Sequence, residues 1–318
     1  MNKRVYGVLG IKSIMANWNA DFSGYPKTIS SGETFGSDKA FKFPMKKMWD
    51  EKGEKVLYIK SLKAEEDKKE GIKVRPKSLK ERFEEVFKIE DLSTIKDSRE
   101  IYKNLFSAVD VKNFGATFAE QKNNIGIIGA VQIGQGFNKY EDTTPEEQQI
   151  LSPFRVEKAS ASNSNTEKEE ANATTLGTKI VSNEAHYFYP FSINPLVYKP
   201  YIEMGVTEGY TEEDYKNFKS TSIVAATAFN SNSKIGCENE FAIFVEVNEE
   251  QYLPDLSQYI EFEKREDKNI IRLNFDTLIN DIIENVINVE IYFNPYTTIL
   301  EGNISKSKVY NIFTGKEV

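Results

Sequence analysis

Strand-like and helix-like segments interleave along this chain, separated by long polar excursions, and neither a βαβ repeat nor a working glycine fingerprint accompanies them. That order predicts an α+β fold, a ferredoxin-like (RRM-like) sheet carrying insertions. A doubly wound parallel sheet would want repeated βα units and a functional phosphate-binding glycine loop. At 318 residues, 39% of them hydrophobic, the chain has apolar material for one large domain or two modest ones.

Residues 4–14 (RVYGVLGIKSI) read as the first strand. After a polar, glycine-bearing loop, GSDKAFKFPMKKMW reads as a helix capped by Ser37 or Asp38, with Pro44 expected to kink or shorten it. A second strand is expected over Lys55 to Leu62. The charge-dense segment 63–99 reads as a helical insertion, because Leu79, Phe83, Val86 and Phe87 fall on one helical face. DSREIYKNLFSAV predicts another helix, DVKNFGATFAE follows it, and IGIIGAVQIG reads as a strand. The polar stretch from Asn138 to Leu176 has little apolar periodicity and reads as a mobile tract or an extended hairpin. A strand is expected over 185–194, and a helix with its polar start at Thr211 over YTEEDYKNFKSTSIVAATAF. The tail predicts a strand (FAIFVEV), a hairpin around Glu266 and Asp267, a helix (FDTLINDIIENVI) and a last strand (VEIYF).

Two singletons prune the chemistry. Cys237 is the only cysteine and His186 the only histidine. Disulfides within the chain and thiolate metal clusters are therefore excluded, and any Cys-His pair or Ser-His-Asp triad would have to use His186. Its aromatic surroundings (EAHYFYPFSINP) favour an ordinary packed or hydrogen-bonded histidine. GIIGAVQIGQGFNKY imitates a nucleotide loop twice and fails twice. Gln135 and Gly136 stand where a P-loop needs Lys and Ser/Thr, and Lys139 stands where a dinucleotide fingerprint needs its third glycine. No nucleotide cofactor is expected. No apolar run nears the roughly 20 residues of a membrane-spanning helix, and the alternating start lacks a signal peptide's apolar block, so no membrane contact and a cytoplasmic location are expected.

The net charge of −8 is unevenly distributed. Residues 1–88 hold 20 Lys and Arg against 13 Asp and Glu, a net of +7, while residues 89–318 hold 21 against 36, a net of −15. One surface can thus attract a polyanion while the remainder stays soluble or meets a neighbour's basic surface; a solvated basic insertion is the plainer alternative. Within the basic part, Asn17, Asn19, Ser23 and Thr28 offer hydrogen-bond donors, Lys27 adds charge, and Lys39, Lys42 and Lys46 follow on one helical face. From Lys39 to Met48 there is no acid, a pattern suited to tracking a phosphate backbone without reading bases. Asp21 and Asp38 are the carboxylates that could hold a metal or act as a base, although Asp38 has a ready capping role. In HYFYPFS, alternation puts Tyr187, Tyr189 and Phe191 on one side and His186 and Phe188 on the other; core packing is favoured over base stacking.

The joint order of NWNADFSGYPK, the lysine helix, DVKNFGATFAE, GAVQIGQG, SPFRVEKASASNSN and EAHYFYPFSINP resembles the Cas-seven backbone subunits of CRISPR Cascade complexes, closest to the type I-B (Csh) branch. The resemblance implies an RRM-like palm (1–62, 100–137 and 183–318), a helical fingers insertion (63–99) and a thumb β-hairpin (138–182). It implies a non-catalytic protein whose copies stack head to tail along a CRISPR RNA, beside other Cascade subunits, presenting the guide to target DNA. By matching motif, Asn17, Asn19, Lys27, Lys42 and Lys46 would face the RNA backbone, with Arg155 and Lys158 near it on the thumb. Phe43 departs from the pattern, standing where relatives often carry a basic residue. On this reading the glycines around Gln132, Gly134, Gln135 and Gly136 would let the backbone approach the RNA. Replacing Gly134 and Gly136 by Val would then remove binding without unfolding the protein. The rival from the enzyme class is a metal-dependent ribonuclease of the same superfamily using Asp21.

Overall fold

The computed structural model describes residues 1–67, 71–151 and 176–318. In chain order these form β1 (Lys3–Ala16), β2 (Phe35–Gly36), α1 (Asp38–Glu51), β3 (Leu62–Asp67), β4 (Gly71–Pro76), α2 (Leu79–Phe87), α3 (Ser98–Ser107) and α4 (Val109–Phe114). Then come β5 (Gly115–Phe118), β6 (Ile125–Ile128), β7 (Val131–Ile133), β8 (Gly136–Asn138), β9 (Pro145–Leu151) and β10 (Leu176–Ile193). The rest is α5 (Lys199–Glu203), α6 (Glu212–Ser222), α7 (Ala225–Ala228), β11 (Cys237–Asn248), β12 (Ile260–Glu263), β13 (Asn269–Leu273), α8 (Asp276–Asp281), β14 (Val286–Phe293), β15 (Thr298–Glu301) and β16 (Ser307–Asn311).

The main sheet runs β16-β14-β11-β1-β10-β8-β2, with β7 and β9 also paired to β10. β1 lies between β10 and β11, antiparallel to both, which explains its apolar middle: Val5, Val8, Leu9 and Ile11 are fully buried. Val5 and Leu9 point into a core shared with Phe41, Met45 and Trp49 of α1 and Phe218 of α6. Val8 points the other way, into a second core with Ile271 and Leu273 of β13 and Ile279 of α8. The aromatic run of β10 divides in the same way. Tyr187, Tyr189 and Phe191 enter the helical core and Phe188 the opposite one, so both faces of that run are interior. The fold is therefore mixed α+β, a large sheet sandwiched between helices and a small three-stranded sheet of β12, β13 and β15.

Several local expectations change. Of the strand expected over Lys55 to Leu62, only Leu62 is extended, as the first residue of β3; Val56 and Leu57 bury in the helical core, and the N–H groups of Leu57 and Tyr58 donate to the Asp110 carboxylate instead of to a sheet. Segment 63–99 is not uniformly helical, because β3 and β4 form a hairpin before α2 begins. Its charges alternate rather than follow a helix: Lys63 and Arg75 pair with Glu81, and Arg75 also with Glu65, while Leu62, Ala64, Ile72 and Val74 sit on the other face. Pro44 does not end α1, which continues through it to Glu51. The helix expected over 210–229 is divided into α6, begun by a Thr211–Asp214 capping box, and α7. Likewise α8 stops at Asp281 and β14 starts at Val286. β9 pairs with the first seven residues of β10, from Leu151↔Leu176 to Pro145↔Ser182.

Candidate nucleic-acid interface

α1 owes its orientation to its apolar positions. Phe41, Met45 and Trp49 recur every fourth residue and are fully buried, and the Trp49 indole N–H donates to Thr221 Oγ1 at 3.0 Å. That anchoring rotates Lys39, Lys42 and Lys46 into a groove of about 490 Å³, walled on its far side by Tyr58, Asp110, Phe114, Thr117 and Ile127. The three lysines are not equivalent. Lys39 is exposed, with no partner among the described residues. The ammonium of Lys42 lies 2.9 Å from Asp38 Oδ2 and 5.2 Å above the Phe114 ring. Lys46 donates to the Tyr58 carbonyl at 2.9 Å, and burial lowers its pKa against the opposing pull of Asp110.

Asp110 builds this wall and was missed in the sequence. Its buried carboxylate accepts the N–H groups of Leu57 at 2.9 Å and Tyr58 at 2.7 Å. Burial raises its pKa, outweighing the backbone donors that pull it down. The Tyr58 hydroxyl donates to the Thr117 carbonyl, and burial pushes it up to about 12. The available signal was an acid set between Val109 and Val111, in SAVDVKNF.

The loop between β1 and α1 is tied to this helix. Asn19 Oδ1 accepts the Ser37 N–H at 2.8 Å, and Ser37 in turn caps α1 through its hydroxyl, which accepts from the Ala40 N–H. Lys27 is half-buried, and its ammonium has no partner among the described residues. Asn17 is buried; its amide donates to the carbonyls of Gly24 (2.8 Å) and Ile180 (3.2 Å), so it braces the loop against β10 rather than facing solvent. Asp21 Oδ1 accepts the N–H groups of Ser23 and Tyr25 at 2.8 and 3.0 Å, the bonding of a turn-former. The Tyr25 hydroxyl bonds the Glu147 carboxylate on β9.

In the glycine-rich stretch, Gly136 answers a packing demand. A Cβ on Gly136 would stand 2.4 Å from a Tyr189 ring carbon, and one on its cross-strand partner Gly36 only 1.8 Å from the Tyr189 hydroxyl oxygen. The two glycines make room for a buried tyrosine, so the expectation that Gly136→Val spares the fold is overturned. Gly134 is exposed and donates its N–H to the Pro190 carbonyl; Gln135 is exposed without a partner among the described residues. Gln132 donates to the Gly129 carbonyl and pairs with Ser192, on the sheet face of Phe188. It and Gly134 therefore line a second groove, with Tyr6, Pro190 and Leu253, on the opposite side from the lysines. Arg155 and Lys158 lie outside the described residues. Phe43 packs edge-on against Phe229, ring centres 5.4 Å apart.

His186 is fully buried, its Nδ1 2.9 Å from the Glu240 carboxylate and its Nε2 2.9 Å from Glu184, with Phe262 stacked on the ring at 3.8 Å. Burial pushes its pKa down, but Glu240 and Glu184 outweigh that and hold it above the ordinary value. It is a packed, hydrogen-bonded histidine. Among the described residues no cluster of three or more His, Cys, Asp or Glu side chains is arranged to hold a metal, and no helix is long and apolar enough to cross a membrane.

No curated protein sequence matches the chain. Among solved structures, a chain of "CRISPR RNA-guided surveillance complex, pre-nicking" superposes with a TM-score of 0.52 at 13% identity, over 96% of each chain, which shows a shared fold. A chain of "CRISPR RNA-guided surveillance complex" gives 0.47 at 12% identity, over 90% of this chain and 88% of that one, a likeness too weak to argue from. Residues 3–280 match the family model of CRISPR-associated protein Cas7, and the chain belongs to that family.

Proposed function

We propose that this protein is the non-catalytic CRISPR RNA-binding backbone subunit of a type I Cascade complex, of the type I-B branch. Copies stack head to tail along the guide, beside other Cascade subunits, and present it for pairing with target DNA. The observation that carries the reading is the groove of Lys39, Lys42 and Lys46, in a protein whose net charge is −8. A line of ammonium groups beside backbone and ring surfaces grips phosphates without reading bases. Lys39 and Lys42 are the direct phosphate contacts, joined by Lys27 from the adjoining loop; Asn17 and Asn19 hold that loop, and Lys46 also supports the groove wall. Gln132 and Gly134 meet the RNA along the opposite groove, with Gln135 exposed beside them. In this reading 1–62, 100–137 and 183–318 are an RRM-like palm, 63–99 the fingers and 138–182 the thumb.

The test is the anisotropy of fluorescent single-stranded RNA across a salt series, for wild type and Lys39→Ala/Lys42→Ala, beside the RNA recovered with each when it is co-expressed with its partner subunits and a CRISPR array. Sequence-tolerant, salt-sensitive binding that the double variant loses supports the proposal; RNA absent from the wild-type complex overturns it. The ribonuclease alternative predicts magnesium-dependent cleavage of target RNA that Asp21→Ala abolishes. The turn bonds of Asp21 already account for its presence.

A further inference from the structure

β1 leaves the sheet through an unusual exit. Met15 adopts a left-handed backbone (φ +47°), uncommon for a side chain of its size, and the chain then turns into the loop that carries Asn19 and Lys27. A turn distant in sequence, 231–236, clasps this exit. The Ile14 N–H donates to the Gly236 carbonyl and the Asn17 N–H to the Ser233 carbonyl, both at 2.9 Å. Between those bonds, the Lys234 ammonium reaches in and donates to the carbonyls of Asn17 (2.6 Å) and Trp18, lying 5.5 Å from the Trp18 ring centre. No carboxylate pairs with it among the described residues. A lysine whose donors go to two consecutive carbonyls and an indole face is not a solvated surface charge: it fixes the direction in which the chain departs.

We infer that Lys234 is a positioning residue for RNA binding: its ammonium holds the Asn17–Trp18 backbone so that the following loop presents Lys27 and, through Asn19 and Ser37, sets the start of the lysine helix. The inference rests on the RNA-binding reading above. Lys234 holds Trp18, Asn19 holds the Ser37 N–H, and Ser37 caps α1. Lys234 itself need touch no phosphate.

The variants are Lys234→Met, which keeps the apolar stem and removes the donors, and Lys234→Arg, which restores them. Hydrogen exchange on the RNA-free protein reads the loop directly. The amides of Asn17, Lys27 and Phe35, bonded to Ser233, Asn19 and Lys27 carbonyls, should exchange faster in Lys234→Met and return toward wild type in Lys234→Arg. RNA affinity in the assembled complex should fall on the order of tenfold in Lys234→Met, recover in Lys234→Arg, and keep the wild-type salt slope, since no phosphate contact is lost. Unchanged exchange overturns the positioning role, and so does faster exchange with full affinity; a shallower salt slope would make Lys234 a phosphate contact instead. Should the wild-type complex carry no RNA, the functional proposal fails, while the exchange result still decides whether Lys234 holds the loop.

Discussion

The carboxylate of Asp110, on α4, accepts the backbone N–H of Tyr58 at 2.7 Å, and the carbonyl of that same tyrosine receives the Lys46 ammonium at 2.9 Å. One buried acid thus organises a segment that is neither helix nor strand, and through it one wall of the lysine groove. Asp110→Ala leaves the N–H groups of Leu57 and Tyr58 without their acceptor and should cost roughly 3 kcal/mol of stability. Asp110→Asn, which keeps one carbonyl, should cost less. Urea unfolding of the three proteins checks the order; equal midpoints would show that the segment holds itself.

Lys46 differs from its two neighbours because its ammonium supports that wall. Each phosphate contact to a single strand contributes about 0.7 to the slope of log K against log salt, so on the proposed RNA-binding role Lys39→Ala and Lys42→Ala should each flatten the slope by about that amount and leave the melting temperature nearly unchanged. Lys46→Ala should weaken binding and lower the melting temperature together. A thermal melt beside each salt series separates the two behaviours.

His186 makes stability pH-dependent in a definite direction. Its folded pKa is raised above the unfolded value of 6.5, so the stabilisation from its charge is complete below about 6.5 and is lost as pH rises through the raised value. Glu184, which its bond to His186 and then to Lys264 holds down to about 2, has the opposite sign: its contribution is present above about 4.5 and disappears as pH falls through about 2. His186→Gln leaves Glu240 buried without its ionic partner and should cost about 3–5 kcal/mol. It should also flatten the decline in unfolding free energy above pH 6.5, at about 1.4 kcal/mol per unit of raised pKa. Parallel curves for the two proteins would contradict this.

The glycines of IGIIGAVQIGQG separate sharply. A Cβ at Gly126, on β6, would meet nothing within 4 Å, so Gly126→Ala should be neutral or stabilising by roughly 0.5 kcal/mol. Gly136→Val drives a branched side chain into the Tyr189 ring and should destabilise by about 3 kcal/mol or more, lowering expression of folded protein. Thermal melts of the two variants test the contrast.

Much of the architecture was legible in local pattern. The central strand, the Ser37-capped helix, the helix opened at Thr211 and the hairpin at Glu266–Asp267 follow from apolar period, caps and turn chemistry, which act between residues close in the chain. The alternation of HYFYPFS likewise separated Tyr187, Tyr189 and Phe191 from His186 and Phe188. Charge spacing brought Lys39, Lys42 and Lys46 to one face of one helix, and the ordered motifs pointed to the family. What lies across the groove from those lysines, Tyr58 and Asp110, was set by tertiary structure alone, since a carboxylate that satisfies backbone donors more than fifty residues away leaves no periodic trace. The same holds for Gly36 and Gly136, whose need for no side chain comes from Tyr189 on another strand, and for Lys234, whose carbonyl partners lie more than two hundred residues earlier. Local pattern encodes which face a residue occupies; the identity of what covers that face is a long-range packing fact, decided only when the sheet closes over it.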